Sequence, residues 1–304
     1  MEVIRIQAAT LARHIQEHGV EYQVIFERDP SLFWARNKDY LMANESAYNL
    51  PVGLLMGIIS SERSWGELSL FTVTLDEEVV GMAMHTGGDK PINVTRMPSL
   101  AVEKLVKEVV DRGVSPEKVA GPTATAKLCA ELFRHHNGGD ISIVMRMGIY
   151  ELVEVTWPKN SGGSLICAQP EHREIAERFA ELFVRECFPN DSAPIERSKD
   201  MVERLLPKGH IFFWKNSAGE FVSIAARNRE TPNTTTISLV YTPSEQRARG
   251  YARLVVAHLS QLWLDRGKLA CNLLTDLTNP ASNRAYTSVG YRQISESRIY
   301  RLHR

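Results

Sequence analysis

Along the C-terminal half of the chain the spacing of apolar residues changes repeatedly between the two-residue period of a strand and the 3.6-residue period of a helix. "SLICAQ" (164–169) predicts a short strand, and "PEHREIAERFAELFVRECF" (170–188) an amphipathic helix with Pro170 near its start. A second helix lies in "IERSKDMVERLLPKG" and ends before Pro207. "HIFFWKNSAGEFVSIAARN" predicts a hairpin turning at Asn216-Ser217-Ala218-Gly219, and "TTTISLVYT" the next strand. A helix is expected from Tyr251 to Asp265, stopping at Gly267. "LACNLLT" predicts a buried strand, "NPASNRAYTSVG" a short helix begun at Pro280, and "YRQISESRIYRLH" a closing pair of strands.

The N-terminal half carries a worn copy of this order. "LSLFTVTLDEEVVGMAMHTGG" predicts a hairpin turning at Asp76-Glu77-Glu78. "INVTRMP" predicts a strand ending in Pro98, as "ISLVYTP" ends in Pro243. "SLAVEKLVKEVVDRG" predicts a helix ending Asp111-Arg112-Gly113, like the later Asp265-Arg266-Gly267. What the first copy lacks is about the length of "SEQRARGYA". The strand-like "ISIVMRMGIYELVEV" is followed by "TWPKNSGGS", whose Pro, Asn, Ser and Gly mark a linker. The expected division is therefore 1–156, a linker at 157–163, and 164–304.

Composition narrows the class. A chain of 304 residues, 43% hydrophobic and 24% charged, has the makeup of a globular protein with room for two cores. Lys+Arg and Asp+Glu are equal at 36 each, which argues against a bulk nucleic-acid or membrane-surface binder. Cys129, Cys167, Cys187 and Cys271 form no CxxC pair, and no His stands at metal-ligand spacing from them. Reduced thiols and no metal are expected. The N-terminal "MEVIRIQAATLARHIQEH" is charged and amphipathic, without the apolar core of a signal peptide. The expected compartment is the cytoplasm.

The stretch "PSEQRARGYA" (243–252) joins a β-branched run to a helical one. The first amides of a helix lack intrahelical partners and sit at the positive end of its dipole, so they can seat a phosphate. Gly250 and Ala252 let a ligand approach the backbone, and Arg247 and Arg249 supply cationic donors. A solvated polar turn would have the same local composition. There is no G-x-x-x-x-G-K-[ST] and no G-x-G-x-x-G, so neither a nucleoside-triphosphate loop nor a dinucleotide fold is indicated.

Arg247-Ala248-Arg249-Gly250-Tyr251-Ala252 resembles the Arg/Gln-x-x-Gly-x-Gly/Ala loop of the GNAT superfamily of N-acetyltransferases. "LTDLTNPASNRAYTSVGYR" is similar to that family's second signature, in the family's order. The resemblance implies an α/β (α+β) fold of two tandem GNAT-like domains, each a mixed, mostly antiparallel sheet flanked by helices. It implies acetyl-CoA as donor and an amine as acceptor. Backbone groups of Val240, Tyr241 and Thr242 would meet the pantetheine arm, beside a splay between two parallel strands. The amides of residues 247–252 would hold the pyrophosphate, Asn279 and Asn283 would stand near the coenzyme, and a backbone N–H near Thr242 would face the oxyanion. Tyr286 stands where the family places the acid for the leaving thiolate, and the expectation is that a phenol near ~10 gives its proton readily to a thiolate whose thiol titrates near ~8.5. By itself Tyr286 reads equally as a packed aromatic, and Asn279 as a helix cap before Pro280.

The base stays open. Glu230, in the turn "NRETPN", and Asp276, after a central strand, are the carboxylates placed best by topology, and a free amine delivered through water is the third choice. His258 reads as a core residue of its helix. The N-terminal copy, with no glycine in "RMPSLAVEK", is expected not to bind acyl-CoA and to wall one side of the acceptor site. Acceptors from a polyamine to a protein N-terminus fit equally. The rival readings are a non-catalytic acyl-CoA-binding sensor or partner-binding module, and O-acyl or aminoacyl transfer on the same fold.

Overall fold

The computed structural model describes residues 21–60, 66–159, 162–189 and 191–303. The amphipathic N-terminal stretch and residues 160 and 161 of the expected linker lie outside the described residues.

The elements run in chain order as β1 (Tyr22–Glu27), α1 (Pro30–Met42), α2 (Asn49–Ile59), β2 (Ser69–Leu75), β3 (Glu78–His85), β4 (Ile92–Val94), α3 (Ser99–Asp111), β5 (Lys118–Pro122), α4 (Thr123–Asn137) and β6 (Ile141–Leu152). Then follow β7 (Ser164–Cys167), α5 (Arg173–Cys187), α6 (Pro194–Leu205), β8 (Ile211–Lys215), β9 (Phe221–Glu230), β10 (Thr234–Tyr241), α7 (Tyr251–Asp265), β11 (Ala270–Asp276), α8 (Pro280–Val289) and β12 (Arg292–Leu302). The two halves carry the same order, β-α-α-β-β-β-α-β-α-β, so the repeat read from the pattern is present as structure.

Local chemistry sets the boundaries. Asp29 caps α1 by accepting from the amides of Ser31 (2.7 Å) and Leu32 (3.1 Å), with Pro30 at the first helical position. Asp76 and Glu77 both take the left-handed conformation, the two-residue turn whose twist matches the strands of a hairpin. The other hairpin turns at Asn216, whose side-chain oxygen accepts from the Glu220 amide at 2.9 Å. β4 is shorter than "INVTRMP" suggests: at Thr95 the Met82 amide donates to the side-chain hydroxyl (2.9 Å), while the Thr95 amide still donates to the Met82 carbonyl (3.0 Å).

The closing pair of strands is a correction. Residues 292–302 form one strand, β12. "QISESRI" contains no Gly, Pro or Asn to turn the chain, and residues 297–301 are held extended by antiparallel pairing with β5.

By contacts the chain divides into two compact units. Unit 1 is Met1–Ala43, Gly57–Met145 and Ser297–Arg304, and unit 2 is Asn44–Met56 and Arg146–Glu296. The sheet of unit 1 has the order β1-β2-β3-β4-β5-β12, antiparallel except for the parallel β4–β5 pair. That of unit 2 has the order β7-β8-β9-β10-β11-β6, antiparallel except for β10–β11. Each sheet is mixed, mostly antiparallel and flanked by helices. The last strand of each half of the chain thus closes the sheet of the other half.

Unit 1 is built on Phe71, Val73, Val102, Leu105, Val109 and Phe133, which pack α3 and α4 against the sheet. Unit 2 buries both sheet faces. Tyr150, Leu152, Val255, Leu259, Leu273 and Tyr286 pack on the α7 side, and Phe179, Val202, Phe213, Ile224 and Leu239 on the α5–α6 side. Burial of each such side chain stabilises by about 1.5–3 kcal/mol. Among the described residues no helix is long and apolar enough to cross a membrane.

Candidate functional site

The site begins where β10 leaves its parallel neighbour. β10 pairs with β11 only at Thr234, Thr235 and Thr236. Beyond them the register against β9 shifts between Ser238 and Tyr241, and Leu239 takes a left-handed φ of 51°. A bulge of this kind bends its strand, and here it separates the end of β10 from β11. The Ser223 hydroxyl fixes the bent end, lying 3.0 Å from the Tyr241 carbonyl oxygen and 2.9 Å from the Thr242 hydroxyl.

Residues 243–250 carry the chain to α7 through a short 3-10 turn at Ser244–Gln246. Gly250 is the N-cap of α7, with φ 86° and ψ 4°, and Ala248 has φ 62°. Among the described residues nothing accepts a hydrogen bond from the amides of residues 248–252. Five successive amides therefore stand at the positive end of a 15-residue helix, the arrangement that seats an anion. In the first copy α3 starts at Ser99, directly after Pro98, and no such loop exists.

The splay and the loop open into a cleft of about 920 Å³. Of the residues singled out from the sequence, Val240, Tyr241, Thr242, Arg247, Ala248, Gly250, Tyr251, Ala252, Asn279 and Tyr286 line it. Arg249, Asn283, Asp276 and Glu230 do not. Arg249 donates to the Gln246 side chain at 3.2 Å. Asn283 donates to the carbonyls of Asp276 and Leu277, 3.3 Å each, and so holds the turn between β11 and α8. Asp276 accepts from the Thr278 amide (2.8 Å) and hydroxyl (2.7 Å) in that same turn. Asn279 caps α8 by accepting from the Ser282 amide at 3.1 Å. Glu230 pairs with Arg227, and with Lys268 at 2.8 Å. It lies opposite Thr235 on β10, seven residues from Thr242. At about 3.3 Å per residue that is on the order of 20 Å from the cleft. His258 sits between the rings of Trp157 (4.9 Å) and Trp214 (4.8 Å), a packing role.

Tyr286 projects from α8 with its ring 6.2 Å from that of Tyr291, and is 9% exposed. Burial, with a smaller contribution from nearby Cys187, pushes its phenol well above the ordinary value. This corrects the expectation of easy proton donation. A phenol is already a weaker acid than a thiol by ~1.5 units, about 2 kcal/mol, so full transfer to a thiolate runs uphill even in water. Burial steepens it. What the buried phenol does well is donate a hydrogen bond.

Glu186, Cys187, Arg253 and Arg284 also line the cleft, and the sequence did not mark them as site residues. Glu186 and Cys187 end α5, Glu186 standing 61 residues before Arg247, and their contact with the loop exists only in three dimensions. Arg247 bridges the two. Its Nε donates to the Thr242 carbonyl at 2.9 Å, its Nη2 meets the Glu186 carboxylate, and its guanidinium lies 5.5 Å from the Tyr241 ring centroid. Cys187 keeps part of its surface exposed, yet desolvation at the cleft wall first, and then Glu186 and Asp276, push its thiol up to about 11. Its thiolate fraction at pH 7 is then on the order of 10⁻⁴, against a few per cent for an ordinary thiol. Alkylation of Cys187 by iodoacetamide is expected to be slow at pH 7 and to rise about tenfold per pH unit up to pH 10, followed by mass spectrometry of its peptide. A rate that levels off below pH 9 contradicts this environment.

Residues 218–300 match a family model described as FR47-like protein. No curated protein matches the sequence. Among solved structures, a GNAT-family acetyltransferase from Colwellia psychrerythraea superposes with TM-score 0.57 at 12% identity, over 93% of this chain and 100% of that one. A GCN5-related N-acetyltransferase from Sphaerobacter thermophilus gives 0.58 at 16% identity, over 91% and 95%. A tandem GNAT protein from the clavulanic acid biosynthesis pathway gives 0.57 at 13%, over 92% and 98%. Over nearly its whole length this chain has the fold of tandem GNAT acetyltransferases.

Proposed function

We propose that the chain is an acyl-CoA-dependent N-acyltransferase, with acetyl-CoA as donor and an amine as acceptor. The observation that carries this reading is the convergence of the free amides of residues 248–252, the splayed end of β10 and the buried Tyr286 phenol on one cleft. The cleft fits the coenzyme. Its volume of about 920 Å³ exceeds what a small metabolite fills, and its floor is an anion seat. The coenzyme supplies, when bound, an acyl group activated as a thioester.

The chain's own residues do the rest. The loop amides, with Arg247 and Arg253 beside them, hold phosphate oxygens. The backbone of Val240, Tyr241 and Thr242 offers strand-edge groups to an extended arm. The carbonyls of Tyr241 and Thr242 are already bound by Ser223 and Arg247, which leaves the Thr242 amide to face an oxyanion. Tyr286 donates a hydrogen bond to departing sulfur and lowers the charge developing there. Neither Glu230, at the far end of β9, nor Asp276, held by Thr278, lines the cleft, and in this reading the amine loses its proton to water and attacks as the free base. Catalysis then rests on position and on charge stabilisation.

In this reading the half with the loop is the catalytic one and the other half binds no coenzyme. Calorimetric titration with acetyl-CoA is expected to count one site per chain, and a panel of amines followed by free-thiol release to show turnover. Coenzyme binding with no thiol release from any amine would mark a sensor instead. Tyr286→Phe keeps the packing and removes the hydroxyl. It is expected to lower kcat by about 10–100-fold, the usual range for one lost donor or acid, with coenzyme affinity within about twofold. Unchanged kcat removes Tyr286 from the mechanism.

A further inference from the structure

The last turn of α5 supplies a wall of the cleft that α8 also lines. Glu186 stands there with its carboxylate on Arg247, and the next residue, Cys187, lies beside Tyr286. Arg247 links this wall to the loop: it holds the Thr242 carbonyl with Nε and Glu186 with Nη2. The Arg247 and Glu186 side chains are 43% and 50% exposed. An ion pair so exposed contributes little and exchanges readily. A phosphate at the loop offers the same guanidinium a doubly charged, bidentate partner.

Glu186 is also poorly placed to stay alone. It sits at the C-terminal end of a 15-residue helix, where the dipole adds partial negative charge, and Arg247 is the cation that offsets it. A carboxylate left there recruits the next cation that reaches the cleft. An amine substrate arrives mostly as an ammonium.

We propose that Arg247 and Glu186 form an exchangeable latch: the coenzyme's phosphate takes Arg247, and the released Glu186 carboxylate binds the acceptor's ammonium, which gives up one proton to water before its nitrogen attacks. The inference rests on the coenzyme reading of the cleft and adds to it a residue that selects cationic acceptors. Glu186 is a binding residue in this scheme, and its charge acts on the two ligands in opposite senses.

The test is a double-mutant cycle on the full chain, read by calorimetry with coenzyme A. Glu186→Gln frees Arg247 and is expected to tighten coenzyme binding about 3–10-fold, while Arg247→Gln weakens it about tenfold. In the Arg247→Gln background, Glu186→Gln is expected to have no further effect on affinity. Equal tightening in both backgrounds would show mere charge repulsion and overturn the latch, as would no tightening at all. With coenzyme saturating and the most active amine of the panel, Glu186→Gln is expected to raise KM for the amine about tenfold or more, with a smaller change in kcat. An unchanged KM overturns the acceptor role. A parent chain that binds no coenzyme A, or releases no thiol with any amine, overturns the underlying reading instead.

Discussion

Gly250→Asp is expected to abolish coenzyme binding while leaving the protein folded. Gly250 caps α7 in the left-handed conformation, and a Cβ there meets only the flexible Arg253 side chain, with Nη2 at 3.1 Å. Asp is among the few residues that tolerate this backbone, at a cost of roughly 1 kcal/mol, so thermal unfolding should shift by only a few degrees. Its carboxylate, however, stands among the amides of residues 248–252. Two like charges about 4 Å apart repel by about 4 kcal/mol at an effective dielectric near 20, or roughly a thousandfold in affinity. The expected calorimetric result is a loss of at least about a hundredfold. Gly250→Asn is the control, since it has nearly the same shape and the same tolerance of positive φ without the charge. It should lose far less. Equal losses in the two variants would assign the effect to shape, and unchanged affinity for acetyl-CoA in Gly250→Asp would remove the phosphate seat from this loop.

That loop was legible because its chemistry is local. A glycine that must take positive φ, a helix that starts directly after it and arginines within a few residues are all written in one stretch of ten letters. The elements were legible for the same reason: the hairpin at Asp76-Glu77 and the helix from Tyr251 to Asp265 follow from turn residues and spacing alone. The site's other wall was not. Nothing in "FVRECF" says that Glu186 and Cys187 will face Arg247 and Tyr286, because that contact is made by the path of the chain between them. The candidate bases lie outside the cleft lining on the same ground. Glu230 and Asp276 were placed by topology, but strand register puts the first at the wrong end of β9, and a local turn occupies the second. Register and side-chain partners are properties of packing, and a single sequence does not print them.

The exchange of last strands is the largest feature that the letters conceal, and it leads to the second large effect. The stretch 164–304 looks like a self-sufficient repeat, yet expressed alone it is expected not to fold. β11 would lose its antiparallel partner β6, which pairs with it from Cys271–Leu152 to Asp276–Met147. The core on the α7 side would lose Tyr150, Leu152 and Val155. At about 1.5–3 kcal/mol for each buried side chain this approaches the whole stability of a domain, about 5–15 kcal/mol. Glu45 would go as well, and with it the acceptor for the Asn233 amide (2.8 Å), the Asn233 side chain (2.9 Å) and the Thr234 amide (3.2 Å). The other half, 1–156, would lose residues 297–301 from the edge of β5, and Tyr300 from its core. Coexpressed, the halves carry each other's missing strand, because β6 ends one piece and β12 ends the other. The two pieces are therefore expected to copurify and to bind acetyl-CoA, while each alone aggregates or unfolds without cooperativity. The measurement is thermal unfolding and calorimetry on each half and on the pair. A soluble 164–304 that unfolds cooperatively and binds coenzyme with the affinity of the full chain would show that the sheet of unit 2 does not need its borrowed strand.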